Sequence, residues 1–598
     1  MKYEYAKAPA VQEYSAPEGT VATRRDMKIL AKDIPCQEAC PARTNVPLYI
    51  EHLVHNDADA SYRVNLESNV FPGVLGRICT RPCEDRCRHN WTNVNGPVSI
   101  CHLKRAAADD ASRTVEPPAP YYGASGRKVA IVGGGPAGLT AARELRRLGH
   151  DVVLFERQEH LGGMMRYGIP RFRLPAHVVD REVDLIVRTG VRVFPGTNID
   201  AAAMEGLIRE YDAVCIAAGT MRPHALTIPG LPARAAVSGL DFMARYNDGE
   251  VQSLKGDVVV IGGGFTAVDC ARSSARAARR LLGEGDNVSI MYRRTEQYMA
   301  AHQEELEEIL RENIAIRTLV TPVRATTRDG RLQSVTFTRN MLARGADNGK
   351  PRIEPVPDSA FEVPCTHLIV AIGQTRESEI LPEGLALTEG FGTTRETVFV
   401  AGDFATGSDN VIKAVANGKA VARRIDTFLM GRDRLRDGVA IETLDNDGCT
   451  GRVRDHDIIP PVAMPVIPVP QRAREDNEVE TGFSETGVRV NALRCYFCHY
   501  KFEIDQDKCI HCDWCIQTAP RECIKRVSRL SGDEDGVVET VVETGSAQEA
   551  TYIWIDSDQC IRCGKCLRVC PTGAISMKKA RLVVEKIPGP TREADNQR

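Results

Sequence analysis

Sixteen of the twenty cysteines fall into two groups, six between Cys36 and Cys101 and ten between Cys495 and Cys570. Thiolates gathered at short spacings are ligands for soft metals, and above all for iron–sulfur clusters. The densest run is Cys560, Cys563, Cys566 and Cys570 followed by Pro571. At this spacing three thiolates hold one 4Fe-4S cluster and the fourth reaches a neighbouring cluster. Cys570 is therefore expected to complete a set with Cys509, Cys512 and Cys515. Ala519-Pro520 stands where the reciprocal Cys-Pro should be, which leaves Cys560, Cys563 and Cys566 one thiolate short, with Cys523 the nearest substitute. C-x-x-C pairs alone also suit a zinc ribbon, but the third cysteine in each repeat argues against one. Cys215, Cys270 and Cys365 are isolated and expected in the core.

A second kind of chemistry is written in glycines. In VAIVGGGPAGLTAA, Gly133, Gly135 and Gly138, with Pro136 and Ala137 between them, follow a strand and open a helix, the context in which a pyrophosphate rests on a helix N-terminus. Glu156, followed by Arg157, ends the next strand, where a carboxylate accepts hydrogen bonds from an adenosine ribose. In VVVIGGGFTAVDCARS the same positions are Gly262, Gly264 and Ala267, with Phe265 and Thr266 between them. Here the next strand ends in Arg293 and Arg294, which favours NADP over NAD because guanidinium groups hold a ribose phosphate. Their alternative role is a solvated loop end.

Positioning such sites takes several domains, and 598 residues supply ample core for them. Lys plus Arg (77) nearly balances Asp plus Glu (80), so charge gives no reason to expect nucleic acid or an anionic membrane. No apolar run has spanning length, and the expectation is a soluble, cytoplasmic protein whose thiols do not form a disulfide framework. The predicted organisation is multidomain α/β: an N-terminal arm (1–33), a helical iron–sulfur domain (34–115), a discontinuous first nucleotide domain (127–250 and 365–430) of Rossmann-like doubly wound type, a second one (251–364), a linker (431–490) studded with proline between Pro460 and Pro470, and a C-terminal α+β cysteine-rich domain (491–598) with an inserted hairpin between Val527 and Asp558. His302, Glu304 and Glu305 are expected on a solvated helix face.

From Cys36 to about Met430 the sequence resembles the family that includes the small subunit of bacterial glutamate synthase. The likeness is carried by GGMMRYGIPRFRLP from Gly162, DAVCIAAGT from Asp212, IPG from Ile228, YRR at Tyr292, LIVAIGQ from Leu368 and VFVAGD from Val398. It implies FAD at the first fingerprint and NADPH at the second. Asp403, after Gly402, would bind the flavin ribityl chain; Gly162, Gly163 and Met164 would line the FAD site, with Gly219 and Gly373 at nucleotide-facing turns. Lys413 and Ala414 would lie near the isoalloxazine. The C-terminal repeats resemble bacterial ferredoxin.

The family's helical region carries two clusters, and CQEACP followed by ICTRPCEDRC matches it. Its upstream C-x-x-C is absent here, and its non-cysteine ligand position appears as Lys104, with Cys101 one helical turn earlier. Cys101 can substitute, giving one set of Cys40, Cys79, Cys83 and Cys101 and leaving Cys36 and Cys87. NALRCYFC looks like the missing motif moved to the other end of the chain, so Cys495 and Cys498 are expected to join Cys36 and Cys87 in a fourth cluster. The rival expectation is that they are free thiols or a partial zinc site. The activity implied is an FAD-dependent exchange of electrons between NADP(H) and iron–sulfur clusters or ferredoxin. It would belong to an electron-transfer subunit of a hetero-oligomer such as a 2-oxoacid:ferredoxin oxidoreductase. The alternatives are a glutamate synthase small subunit and a non-catalytic electron-transfer scaffold.

Overall fold

A computed structural model describes residues 14, 23–92, 95–112, 114–232, 235–278, 287–301, 303–347, 349–445, 448, 450, 456–473 and 477–587. His302 and most of the expected arm lie outside them. Residues 24–33 of that arm are an ordered helix, Arg24–Asp33, closed by a reciprocal cap between Thr23 and Asp26. Buried Tyr14 donates to Asp33 at its end.

Two parallel five-stranded sheets form the centre. The first runs Val398–Val400, Ala213–Ile216, Lys128–Val132, Asp151–Phe155, Arg192–Phe194, so a strand from late in the chain closes the edge of a sheet begun far earlier. Its strand faces are continuous apolar runs because helices such as Pro136–Arg147 and Val411–Met430 cover them. The second sheet runs Ala236–Ser238, His367–Val370, Val258–Ile261, Val288–Met291, Ala315–Arg317. Residues 236–238 and 367–370 thus pair within the second sheet, and the boundaries expected at 250/251 and 364/365 both fall inside this unit. Strands of three and four residues are too short to announce their sheet in the sequence. A separate four-stranded antiparallel sheet, from Val320–Arg328 to Phe361–Pro364, packs against the second sheet. Cys215, Cys270 and Cys365 are fully buried in these two units.

The cysteine-rich ends flank this centre. Short helices carry the N-terminal thiols, and two three-stranded antiparallel sheets frame the C-terminal ones. The hairpin expected between them pairs Ile524–Gly532 with Val538–Glu543. The segment 431–490 does not act as a spacer. Leu435–Leu444 pairs residue for residue with the final strand Ile575–Lys586. The proline-rich stretch is strapped down where Val479 N–H donates to Phe172 O at 2.9 Å, Arg77 and Arg105 pair with Glu478, and buried Arg472 meets Glu308 and Glu312. Proline removes backbone donors without preventing side-chain anchoring.

Several contacts set the helical domain on the first nucleotide unit, among them those of Arg143 to Leu66 O and Arg181 to Ala108 O. Glu182 accepts from the N–H groups of Gly73 and Val74 at 2.6 and 3.1 Å, at the N-terminus of helix Pro72–Ile78. Burial lifts its carboxyl to about 7. That helix leads into Cys79 and packs on Ile100–Asp110, which bears Cys101. At Gly76 an added methyl would stand 2.6 Å from the Arg105 backbone. Gly76→Ala is therefore expected to cost about 1–3 kcal/mol through overpacking, read as a lower midpoint in thermal unfolding of the purified protein.

Candidate functional site

The first fingerprint builds a cradle of bare backbone. Gly135 caps helix Pro136–Arg147, and the loop Gly162–Gly163 folds over it so closely that a methyl on Gly163 would lie 2.8 Å from Gly135 Cα. Glycine backbone therefore borders the helix end, where unpaired N–H groups favour a pyrophosphate. Pro136 and Ala137 open the helix, Gly138 sits in its first turn, and Met164 begins the short helix Met164–Tyr167. Glu156 is buried and accepts from Gly134 N–H at 2.7 Å and Gln158 N–H at 2.8 Å. Arg157 turns aside to pair with Glu377. Asp403 follows Gly402 at the end of the closing strand, and burial raises its carboxyl to about 6. Lys413 pairs with Asp409 at the start of Val411–Met430, with Ala414 buried beside it. Gly219 and Gly373 lie near one another, because Gln374 donates to Thr220 and Arg222–Pro223 pairs with Gln374–Thr375 across the two units. These residues fit a dinucleotide with an extended pyrophosphate.

The second fingerprint repeats the arrangement. Gly264 caps Phe265–Ala277 with open space before it, and Thr266 and Ala267 follow Phe265 in the first turn. The two arginines separate. Arg293 is exposed, whereas Arg294 is buried and its Nε donates to Pro351 O at 3.0 Å. Glu305, expected in solvent, faces inward instead: it pairs with Arg173, which also holds Asp269 at 2.6 Å. The clamp ties the two nucleotide units together. Glu304 is exposed, as expected, and pairs with Arg81 at 2.8 Å.

The thiols stand in four sets. Cys40, Cys79 and Cys83 line a cavity of about 290 Å³ with Lys104 and Ile412. Cys101 joins through hydrogen bonds with the Cys79 and Cys83 thiols. Cys36, Cys87, Cys495 and Cys498 line a second, of about 350 Å³. Burial, then the nearby thiols of Cys498, Cys87 and Cys495, push the Cys36 thiol up. Cys509, Cys512, Cys515 and Cys570 line a third, of about 340 Å³. Cys523 is hydrogen-bonded to Cys560 and lies near Cys566 and Cys563, and its thiol is driven up by that bond first and by burial second. Among the described residues no three His, Cys, Asp or Glu side chains converge tightly enough for a single metal ion.

Backbone conformation gives independent evidence of what these sets fit. Phe497, His511 and Arg562, each just before the second cysteine of a C-x-x-C, have φ of 51°, 53° and 56°, and Asp513 and Gly564 follow at 63° and 69°. Left-handed residues in such loops turn successive N–H groups inward, a nest for an anion. Phe497 N–H donates to Cys495 Sγ at 3.4 Å. Four sulfurs with inward N–H groups suit an anionic iron–sulfur cluster.

Sequence reasoning missed the cations that hold the far segments in place. Fully buried Arg494 donates to the carbonyls of Ile459, Pro97, Asn95 and Gly96, which fixes the Cys495–Cys498 loop against the N-terminal helices. Arg88 reaches Ser557 O and Asp558, and Lys501 pairs with Asp33 at 3.1 Å. The arginine before Cys495 was the only one of these with a signal in its motif.

Comparison with known proteins meets the same three parts. Residues 127–418 match the pyridine nucleotide-disulphide oxidoreductase family, residues 9–115 match dihydropyrimidine dehydrogenase domain II with its 4Fe-4S cluster, and residues 553–576 match the 4Fe-4S binding domain. The beta subunit of NADP(+)-dependent formate dehydrogenase from Moorella thermoacetica is 32% identical over 511 residues, covering 78% of this chain and 70% of its own. The small chain of NADPH glutamate synthase from Azospirillum brasilense is 30% identical over 439 residues, 68% of this chain and 89% of its own. The chain belongs to the glutamate synthase small chain-like oxidoreductases. The beta subunit of NADPH-Fe(3+) oxidoreductase from Geobacter sulfurreducens is another relative, 30% identical over 518 residues, 78% of this chain and 75% of its own. A member of this family is an NAD(P)H-dependent flavin oxidoreductase with FAD- and NAD(P)-binding and 4Fe-4S domains. If Cys495 and Cys498 share a cluster with Cys36 and Cys87, Cys495→Ala lowers the iron of anaerobically purified protein from about sixteen to about twelve per flavin, as counted by iron and acid-labile sulfide analysis.

Proposed function

We propose that this chain is the electron-transfer subunit of a larger complex, exchanging electrons between NADP(H) and a redox partner through four 4Fe-4S clusters. The observation that carries the reading is the gathering of sixteen thiols into four sets of four, two of them closed by residues distant in sequence. A bound flavin supplies the step between the hydride of a nicotinamide, which carries an electron pair, and clusters that take one electron each. The chain's own residues do the placing. Glu156 and the Gly135–Gly163 cradle are suited to hold FAD, Asp403 would bind its ribityl chain, and Gly264 with Arg293 would receive the NADP(H) phosphates.

The sets neighbour one another in succession. Ile412, next to Lys413 and Ala414, lines the cavity of Cys40, Cys79 and Cys83, which supports that set as the one adjoining the flavin site. Tyr49 lies close to Cys83 and Cys101 on one side and Cys36 on the other. Arg562 lies between Cys498 and Cys560, and Cys566 is near Cys515. The set at the far end, with Cys509, Cys512 and Cys570 only partly buried, is flanked by exposed Ile510 and Trp514, where a partner would meet it. The names of the relatives as beta or small subunits support a complex. The ferredoxin-like module favours this reading over a glutamate synthase small subunit.

Anaerobic addition of NADPH is expected to bleach the yellow flavin band and then the broad absorption of the clusters. A protein that keeps its yellow band would instead be a scaffold. Because one lost charge-assisted hydrogen-bonding group is worth about 1.5–3 kcal/mol, Arg293→Ala should raise the KM for NADPH by roughly tenfold or more. The KM for NADH should stay unchanged in the same steady-state assay.

A further inference from the structure

Buried cations near both chain ends meet carboxylates: Arg77 meets Asp109 and Glu478, Arg105 the same two, Lys501 meets Asp33, and Arg88 meets Asp558. Lys104 differs. It is 4% exposed on helix Ile100–Asp110, three residues after Cys101, and so on the same face. It lines the cavity of Cys40, Cys79 and Cys83. Among the described residues no carboxylate lies within ion-pair distance of it. Glu84, the acid that feels its field, has an oxygen committed to Cys101 N–H at 2.8 Å. The sulfurs that line this cavity with Lys104 are those of Cys40, Cys79 and Cys83, with Cys101 one helical turn before it. A buried ammonium needs a counter-charge, and the one this cavity provides is sulfur.

We propose that Lys104 is the counter-cation of the Cys40, Cys79, Cys83 and Cys101 cluster and that its fixed charge raises the midpoint potential of that cluster. The inference rests on the four-thiol reading of the site. When this cluster takes one electron from the flavin, itself reduced by NAD(P)H, its charge becomes more negative by one unit. A cation in a low-dielectric pocket stabilises the added electron more than the state before it. The set adjoining the flavin site is thereby favoured as the place where single electrons first leave the pair. Lys104 acts through the cluster and is a positioning residue, not a catalytic one.

The test is an EPR-monitored redox titration of anaerobically purified holoprotein, with iron counted in each sample. Lys104→Met keeps the length of the side chain and removes its charge; Lys104→Arg keeps the charge. The expected result is one cluster midpoint moved to lower potential in K104M, the other midpoints unmoved, and K104R close to the unsubstituted protein. Loss of one cluster from K104M but not from K104R supports the same role. Unmoved midpoints in K104M at full iron content overturn it, as does an equal shift or an equal loss of iron in K104R. Cys101→Ala reports separately on the ligand set: full iron content in that variant removes the four-thiol assignment, whatever the lysine variants do.

Discussion

An anion taken out of water is stable only where hydrogen-bond donors and cations replace the solvent it has lost, and this chain gathers thiols in its interior at both ends. Much of its peripheral architecture answers to that constraint. Left-handed residues such as Phe497, His511 and Arg562 turn N–H groups toward sulfur at a local conformational cost. Lys104, Arg562 and Arg494 bring positive charge to places where an ordinary core would have aliphatic side chains. Among the N-terminal helices Pro35–Ala39, Pro72–Ile78 and Pro82–Asp85 end at or near a cysteine, and helices this short are stabilised by packing on their neighbours.

The two nucleotide units are positioned by a different logic. Their parallel sheets are apolar and self-sufficient, and what needs explaining is their mutual orientation. Arg173 reaches from the loop after Gly162 to Asp269 and Glu305 of the second unit. Buried Glu312 gathers Arg272, Arg276 and Arg472, and those guanidiniums hold its carboxyl far below the usual range despite its burial. Arg472 belongs to the proline-rich strap, which also grips the helical domain through Glu478 and Glu480. One extended segment thus fastens three parts of the molecule.

How much of this could be read in the sequence depended on whether the information was local. The glycine fingerprints and the C-x-x-C runs are local, since each needs its residue types at fixed spacing, and the structure places them at helix starts and tight loops. The second-sheet strands 236–238 and 367–370 were assigned to the wrong unit because three or four apolar residues do not say which sheet they join. Leu435–Leu444 has charged residues at Arg436, Asp437 and Glu442, which masked a strand whose partner lies at the other end of the chain. The inward turn of Glu305 depends wholly on Arg173, more than a hundred residues away, and no pattern along the helix reports it. The return of Cys495 and Cys498 to Cys36 and Cys87 could be inferred only by comparing what the N-terminal motif lacked with what the C-terminal segment had to spare.

The cavity lined by Cys36, Cys87, Cys495 and Cys498 has a consequence for how the protein comes into being. Cys87 leaves the ribosome roughly 400 residues before Cys495, which at about 5–20 residues per second is a delay of tens of seconds. The thiols Cys40, Cys79, Cys83 and Cys101 all lie in the first stretch of nascent chain, whereas the neighbouring set waits for Cys495 and Cys498. The N-terminal helices must therefore keep Cys36 and Cys87 accessible until most of the chain has been made.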